Sequence, residues 1–236
     1  MAKTKEKKPL TFTHEKEDFG KGLAVCGTDE AGRGPLAGPV YAAAVILDTE
    51  DTDAEYLSGL DDSKKLTEKK RDALEVLIKE HALSWCVAYS TVSEIEETDI
   101  LSASLHAMRK AIDGLSLDRG TDEETLHKMD IEAIGGKQIT PDAVLVDGNM
   151  TRGFTLPAKA IIGGDGESFS IAAASILAKV ARDRYCLEVL DKKYPEYLFA
   201  KHKGYGTKVH YEAVDKHGLC PEHRQSFFKK YYEKRK

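Results

Sequence analysis

Apolar segments of strand length come early in this chain and then alternate with amphipathic helical ones, which predicts an α/β or α+β sheet with a helical C-terminal part. Three stretches carry that prediction. Residues 39–47 (PVYAAAVIL) form a continuous apolar run of the kind a buried strand shows. Residues 143–146 (AVLV) form a second, ending abruptly at Asp147-Gly148. Residues 170–193 (SIAAASILAKVARDRYCLEVLDKK) give the strongest helical pattern in the chain.

The remaining elements follow in order. Residues 1–20, rich in Lys, Glu and Thr, read as a flexible basic leader. Residues 23–28 and 39–47 read as strands on either side of a glycine-rich turn. Residues 66–82 place Ala73, Leu74, Leu77 and Ile78 at helical spacing behind Thr67, a good N-cap. Residues 84–91 (SWCVAYST) predict a third strand. A helix follows, opened by Ser93 with Glu96 three residues later, its apolar face running Leu101, Leu105, Met108, Ile112 and its end at Gly114. Residues 118–138 are ion-rich and lack a clear period, so they read as an insertion or long loop with helix at 123–129. Residues 160–162 predict a fifth strand, and residues 207–217, stopped by Gly218, a late helix.

The 236 residues are 41% hydrophobic and 32% charged, enough for one large domain without staples. Four dispersed cysteines form no C-x-x-C pair, which argues against a disulfide scaffold or a cysteine zinc site and for a reducing, cytoplasmic setting. The N-terminus lacks the apolar core of a secretory signal, and the run at 171–177 is far too short to span a bilayer. The net charge of −5 is unevenly spread: residues 48–55 hold five acids, whereas residues 201–236 hold ten Lys/Arg against four Asp/Glu. Such a tail is either a solvated helix face or a basic arm for a polyanion.

The informative segment is Gly27-Thr28-Asp29-Glu30-Ala31-Gly32-Arg33-Gly34-Pro35. Two adjacent acids at the end of an apolar strand are costly unless they are paired or hold a cation. Neighbours on a regular strand face opposite ways, so Asp29 and Glu30 can share one site only where the strand ends or bulges. Taken alone, the segment fits a turn with capping acids equally well; a phosphate-binding G-x-x-x-x-G-K-[ST] loop is absent. Asp147 closes another strand, and Asp165 sits in Gly163-Gly164-Asp165-Gly166 just ahead of the long helix. Together these four acids would form an oxygen-only cluster suited to Mg²⁺ or Mn²⁺ rather than to zinc or copper. A pair of such ions activates water and stabilises the leaving oxygen in phosphodiester cleavage.

With these residues in view the chain resembles the type 2 ribonucleases H, specifically bacterial ribonuclease HII. The resemblance runs from about residue 24 to residue 227 and rests on five ordered blocks: Asp29-Glu30-Ala31-Gly32-Arg33-Gly34-Pro35; Asp62-Ser63-Lys64-Lys65-Leu66; Val146-Asp147-Gly148-Asn149; Gly164-Asp165 with the helix Ala172 to Asp183; and His202-Lys203-Gly204-Tyr205-Gly206-Thr207. It implies an RNase H-like fold with a central mixed sheet of five strands flanked by helices, a catalytic domain over 21–193, and a C-terminal helical region and basic tail over 194–236. It also implies hydrolysis of the RNA strand of RNA–DNA hybrids and incision at single ribonucleotides embedded in duplex DNA, leaving 3′-hydroxyl and 5′-phosphate ends. By position Asp29, Glu30, Asp147 and Asp165 would hold two divalent ions, with Asp29 bridging both. Gly32, Arg33 and Gly34 would grip the ribonucleotide, Lys64 and Lys65 would bind phosphates with Ser63 beside them in the substrate-binding set, and Tyr205 would stack on the following deoxyribose.

Asp183, also within a family block, reads as an ordinary salt-bridge partner of its arginine neighbours. The segment around Asp165 departs from the family wording by lacking a lysine before Gly-Asp, which puts in doubt one positive group beside the site. The tail has the spacing of a sliding-clamp-binding peptide through Gln225, Phe228, Tyr231 and Tyr232, although it overlaps residues 223–227, which resemble the end of the family's own domain. Ribonuclease HIII carries a sizeable N-terminal domain; only about twenty residues precede the first strand here, which favours HII, and the chain is expected to act as a monomer. Two rivals are a non-catalytic hybrid-binding module on the same fold and a nucleotide-binding protein that uses the glycine-rich turn.

Overall fold

The computed structural model describes residues 9–20, 22–52 and 54–233. Six strands form one mixed sheet in the order β4-β3-β2-β1-β5-β6: β1 Val25–Ala31, β2 Val40–Ile46, β3 Ser84–Ser90, β4 Ile131–Gly136, β5 Ala143–Asp147 and β6 Ala158–Ile161. Strands β1 to β4 pair antiparallel, while β5 runs parallel to both β1 and β6. Helices are α1 Thr13–Glu17, α2 Glu68–His81, α3 Val92–Glu97, α4 Ile100–Gly114, α5 Glu123–Lys128, α6 Phe169–Tyr185, α7 Asp191–Lys193, α8 Phe199–His202, α9 Lys208–His217 and α10 Lys229–Glu233.

The expected five-stranded sheet therefore has a sixth member, and it lies inside the stretch read as an insertion or loop. β4 pairs only with β3, so it is an edge strand, and apart from Ile131 its residues are at best half-buried. Half-exposed edge strands need no strict apolar alternation, which is why IEAIGG escapes a periodicity search. Arg119 ties the insertion down: its guanidinium donates to the carbonyls of Gly114, Leu115, Leu117, Gly136 and Lys137 and to the Ser84 hydroxyl.

Both faces of the sheet are covered. On one, α4 lays Leu105, Ala107, Met108, Ala111 and Ile112 over Cys26, Ala42, Ala44, Ala88, Val144 and Val146. On the other, the alanine-rich side of α6 meets Tyr41, Ala43, Val45 and Val87. Small residues allow very close approach there. A Cβ on Gly27 of β1 would lie 2.3 Å from the Ser170 carbonyl carbon and 2.4 Å from the Ile171 nitrogen. A third cluster, with Leu36, Ala37, Cys186, Leu190, Tyr197, Phe199, Val214 and Phe228, joins the C-terminal helices to the glycine-rich turn after β1.

Three local expectations change. The helix expected from Ser93 starts two residues earlier: Thr91, immediately after β3, makes the capping box with Glu94, and Asp99 caps a separate α4 through the N–H groups of Leu101 and Ser102. The long helix expected over 170–193 holds as α6 to Tyr185, then loosens into a π-helical turn at Cys186–Leu190. Finally, the part of the leader that is described is not loose. Phe12 is buried, Thr11 pairs with Ser168, and Glu15 is buried with its Oε1 accepting from the hydroxyls of Ser168 (2.6 Å) and Ser170 (2.5 Å). A carboxylate at the N-terminus of α6 meets its orphan N–H groups and the positive end of its dipole, which is the physical reason the segment docks. Residues 1–8 of that leader lie outside the described residues.

Candidate active site

The β1–β5 pairing ends at Thr28↔Val146, while β1 goes on pairing with β2 through Ala31. One residue beyond that last parallel pair stand Asp29 on β1 and Asp147 on β5. These are the carboxyl ends of parallel strands, where open α/β sheets place their sites. β1 neither ends nor bulges at the two adjacent acids, contrary to expectation: it keeps its register with β2 through Ala31, only its pairing with β5 has stopped, and Asp29 and Glu30 keep opposite faces. Asp29 faces α6, where its carboxylate takes a hydrogen bond from Ser175 and another from the Glu30 N–H (2.7 Å). Glu30 faces α4 and shares a small recess with Asp147, Arg33, Leu105 and Met108. The rim of the sheet is thus straddled by carboxylates.

Asp165 arrives from the other side. It lies in a 3₁₀ turn, Gly164–Gly166, entered through Gly163 in the left-handed region (φ +71°) and followed by Ser168, the N-cap of α6. Its N–H points at Asp147 Oδ1 (3.4 Å). Gly164 makes the approach possible, because a Cβ there would collide with Ile171 at 2.6 Å.

Burial and mutual repulsion leave the acids short of compensation. Burial, then the charges of Glu30 and Asp147, hold Asp29 well above the usual carboxylate range. Burial raises Glu30 as well, against the pull of the Arg33 guanidinium 3.5 Å away. Asp165 is pushed up to about 6 by burial and by the charges of Asp147 and Asp62. The chief cation facing the group is Lys64, exposed at the rim; burial opposes its charge, but the carboxylates of Asp29, Asp165, Asp62 and Asp147 keep it protonated above its ordinary value. Among the described residues no three His, Cys, Asp or Glu side chains converge as a closed cage. The four acids sense one another electrostatically without meeting as ligands. Their donor set is all oxygen, and buried, mutually repelling carboxylates are what a hard divalent cation would relieve.

The other expected residues fall into two groups. Gly32, Arg33 and Gly34 form the turn leaving β1; Gly32 has φ +106° and no room for a side chain against Arg182. Tyr205, 45% exposed, faces this turn, its ring 3.5 Å from where a Gly34 Cβ would stand. Ser63, expected in the substrate-binding set, is 3% exposed and its hydroxyl bonds Ser175 (2.9 Å), so its side chain braces the Asp29 support. Asp183 pairs with Lys179 (2.6 Å) and Arg71 (3.6 Å), not with its arginine neighbours. Arg184 instead takes Glu75, and Arg182 turns inward to the carbonyls of Lys203 and Ala37.

The tail also differs from expectation. Phe228, which would be the apolar anchor of a clamp-binding peptide, is fully buried against Tyr211 and His223. Tyr231 stacks on Tyr211, leaving Gln225 and Tyr232 exposed. Phe228 and Tyr231 pack into the C-terminal cluster. Among the described residues no helix is long and apolar enough to cross a membrane. Sequence reasoning gave no role to Ser175 or to Asp62, whose carboxyl hydrogen-bonds Asp165, although both lie within the blocks that carry the family resemblance.

Comparison with known proteins bears on this arrangement. The family model described as Ribonuclease HII matches residues 26–234. A Ribonuclease HII of Idiomarina loihiensis is 50% identical over 203 residues, covering 86% of this chain and 94% of the relative. Among solved structures, the PCNA:RNase HII complex of Archaeoglobus fulgidus is similar with a TM-score of 0.60 at 23% identity, over 86% of this chain and 94% of that one. Bst-RNase HIII in complex with Mn²⁺ is similar with a TM-score of 0.54 at 18% identity, over 83% and 63%. At those identities the solved structures speak for the RNase H fold. The family match over most of the chain, and half-identity to a curated relative nearly end to end, establish more: this chain belongs to the ribonuclease HII family and is a hydrolase of the ribonuclease H kind.

Proposed function

We propose that the protein cuts the RNA strand of RNA–DNA hybrids and incises duplex DNA at single embedded ribonucleotides, with Asp29, Glu30, Asp147 and Asp165 holding two divalent ions, Mg²⁺ or Mn²⁺. One observation carries this reading: acids from three separate stretches, Asp29-Glu30 on β1, Asp147 at the end of β5 and Asp165 in the turn before α6, face one another with too little cationic compensation, so that burial and repulsion raise Asp29, Glu30 and Asp165 together. Bound there, hard divalent ions would supply an activated water and stabilise the leaving oxygen of an in-line displacement.

The chain's own residues do the rest. Ser175 and the Glu30 N–H hold the Asp29 carboxylate in one orientation, and the Asp165 N–H does the same for Asp147. Lys64 offers its ammonium at the rim for a phosphate of the cut strand. The Gly32-Arg33-Gly34 backbone, free of side chains at both glycines, would let a bound sugar approach closely enough for its 2′-hydroxyl to be sensed. Tyr205 opposite offers a flat ring on which the next sugar can stack only if it lacks that hydroxyl.

Purified protein incubated with duplex DNA bearing one ribonucleotide tests this, with and without divalent ion. Cleavage is expected only with the ion, and Asp29→Asn is expected to bind hybrid while losing cleavage by roughly a thousandfold or more. Undiminished cleavage by that variant would remove the site assignment; hybrid binding without cleavage by the wild type would favour a non-catalytic binding module.

A further inference from the structure

His223 and Arg224 are adjacent in sequence, both buried, and each reaches a different wall of the groove between the 32–34 turn and Tyr205. Among the described residues no carboxylate forms an ion pair with Arg224. Its Nε donates to the Gly38 carbonyl (2.9 Å), Nη1 to those of Arg33 (3.1 Å) and Pro35 (2.8 Å), and Nη2 to those of Gly32 (2.8 Å) and Gly38 (2.7 Å). Burial, with Arg182 nearby, lowers its pKa to about 9, so it still carries its charge at neutral pH.

In a trans peptide the N–H points opposite to the C=O. With the carbonyls of Gly32, Arg33 and Pro35 turned in toward the guanidinium, the N–H groups of Arg33, Gly34 and Leu36 are turned away from it. The Leu36 N–H meets the Gly204 carbonyl at 2.8 Å, beside Tyr205. Arg224 therefore dictates which edge of the turn presents donors.

His223 reaches the opposite wall by a relay whose direction follows from counting donors. Its Nδ1 accepts the Cys220 N–H (2.9 Å), so the ring proton sits on Nε2. That proton goes to His210 Nε2 (2.9 Å), which leaves the His210 proton on Nδ1, donated to the Tyr205 carbonyl (3.0 Å). An isolated bridge between Ala37 and His223 stitches the two arms together.

We propose that His223 and Arg224 are paired positioning residues for substrate recognition, Arg224 orienting the amides of the 32–34 turn and His223, through His210, seating Tyr205. The inference rests on the reading that the turn and Tyr205 grip the ribonucleotide and its neighbour, and it goes beyond that reading by saying what sets the gap between them.

Steady-state kinetics on a lone-ribonucleotide duplex and on a long hybrid test it, with melting curves to follow the fold. Arg224→Lys keeps the charge but loses the fork, and KM is expected to rise roughly tenfold on both substrates with kcat little changed. His223→Gln keeps a donor near the Nε2 position and should behave as wild type. His223→Asn can still accept from Cys220 but cannot reach His210. It should lose roughly tenfold in kcat/KM on the lone ribonucleotide and little on the hybrid. A merely structural role would lower kcat at constant KM, equally on both substrates and equally for Asn and Gln; that result overturns the proposal. Should Arg224→Lys fail to fold, the Gln–Asn contrast decides alone. Tyr205→Ala separates the two levels. If it leaves the lone-ribonucleotide preference intact, the groove reading itself is wrong; if it abolishes that preference while the His223 and Arg224 variants do not, only the positioning role falls.

Discussion

The contact between β1 and α6 makes a sharp prediction, because it joins stability to the site. Gly27→Ala would place a methyl carbon 2.3 Å from the Ser170 carbonyl carbon, 2.4 Å from the Ile171 nitrogen and 2.7 Å from the Ser170 oxygen. Those are backbone atoms at the start of a helix, so no side chain can swing away. Ordinary contact begins near 3.4 Å, and α6 must therefore retreat from the sheet by about 1 Å, on the scale where overpacking costs about 1–3 kcal/mol or more. At the upper end of that range the melting temperature of a chain this size should fall by roughly 6–12 °C. The same displacement carries Ser175 away from Asp29, and a misplacement of about 1 Å at a reacting centre can cost on the order of a hundredfold in rate. Thermal melting and single-turnover cleavage of a ribonucleotide-containing duplex read the two consequences separately. A variant that melts within about 2 °C of wild type and cuts at the wild-type rate would refute the claim that this close approach positions the site.

Three other outcomes are expected. Ser175→Ala removes a donor to Asp29 and the partner of Ser63; with a hydrogen bond to a charged group worth about 1.5–3 kcal/mol, cleavage should slow by roughly ten- to a hundredfold with melting much less affected, as stopped assays can show. Glu15→Ala strips the Ser168 and Ser170 hydroxyls of their acceptor and should cost about 2 kcal/mol in urea unfolding, where no shift in midpoint would mean that the described leader contributes nothing. Burial lowers His210 and His223 to about 4. Unfolded, they titrate near 6.5, so stability from their neutral forms is complete above about pH 6.5 and is lost as pH falls toward 4, about 3 kcal/mol for one such histidine. Imidazole NMR should find both rings neutral at pH 5.5, and titration near 6.5 would contradict the relay.

What could be read from the sequence and what could not divide along physical lines. A carboxylate at the end of a buried strand advertises itself: the strand is visible by its apolar run, the charge is expensive there, and the following glycines show where the chain turns. Asp29, Glu30 and Asp147 were legible for that reason, although the parity of Asp29 and Glu30 pointed to a strand end or bulge where β1 has neither and the two acids keep opposite faces. β4 was illegible because an edge strand buries too little for a pattern. Between Ser93-Glu96 and Thr91-Glu94 the capping signal was ambiguous, since both pairs have the right spacing; only the end of β3 at Ser90 selects the earlier one. Ser63 misled because its neighbours do face the site, and sequence does not say that its own hydroxyl turns back to a serine 112 positions away.

Arg224 marks a deeper limit. A buried guanidinium satisfied by an acid leaves a complementary charge to look for, but one satisfied by carbonyls leaves none, because every residue has a carbonyl. The partners of Arg224 lie up to 192 positions away and owe their selection to the curvature of one glycine-rich turn. That turn in turn can hold several carbonyls on one side only because something buried and multiply donating sits inside it; solvent would satisfy them in many geometries, and a guanidinium satisfies them in one. The acids that would carry the chemistry are thus readable one by one from local cost, whereas the shape of the groove that would choose the substrate is a property of contacts that only the folded chain defines.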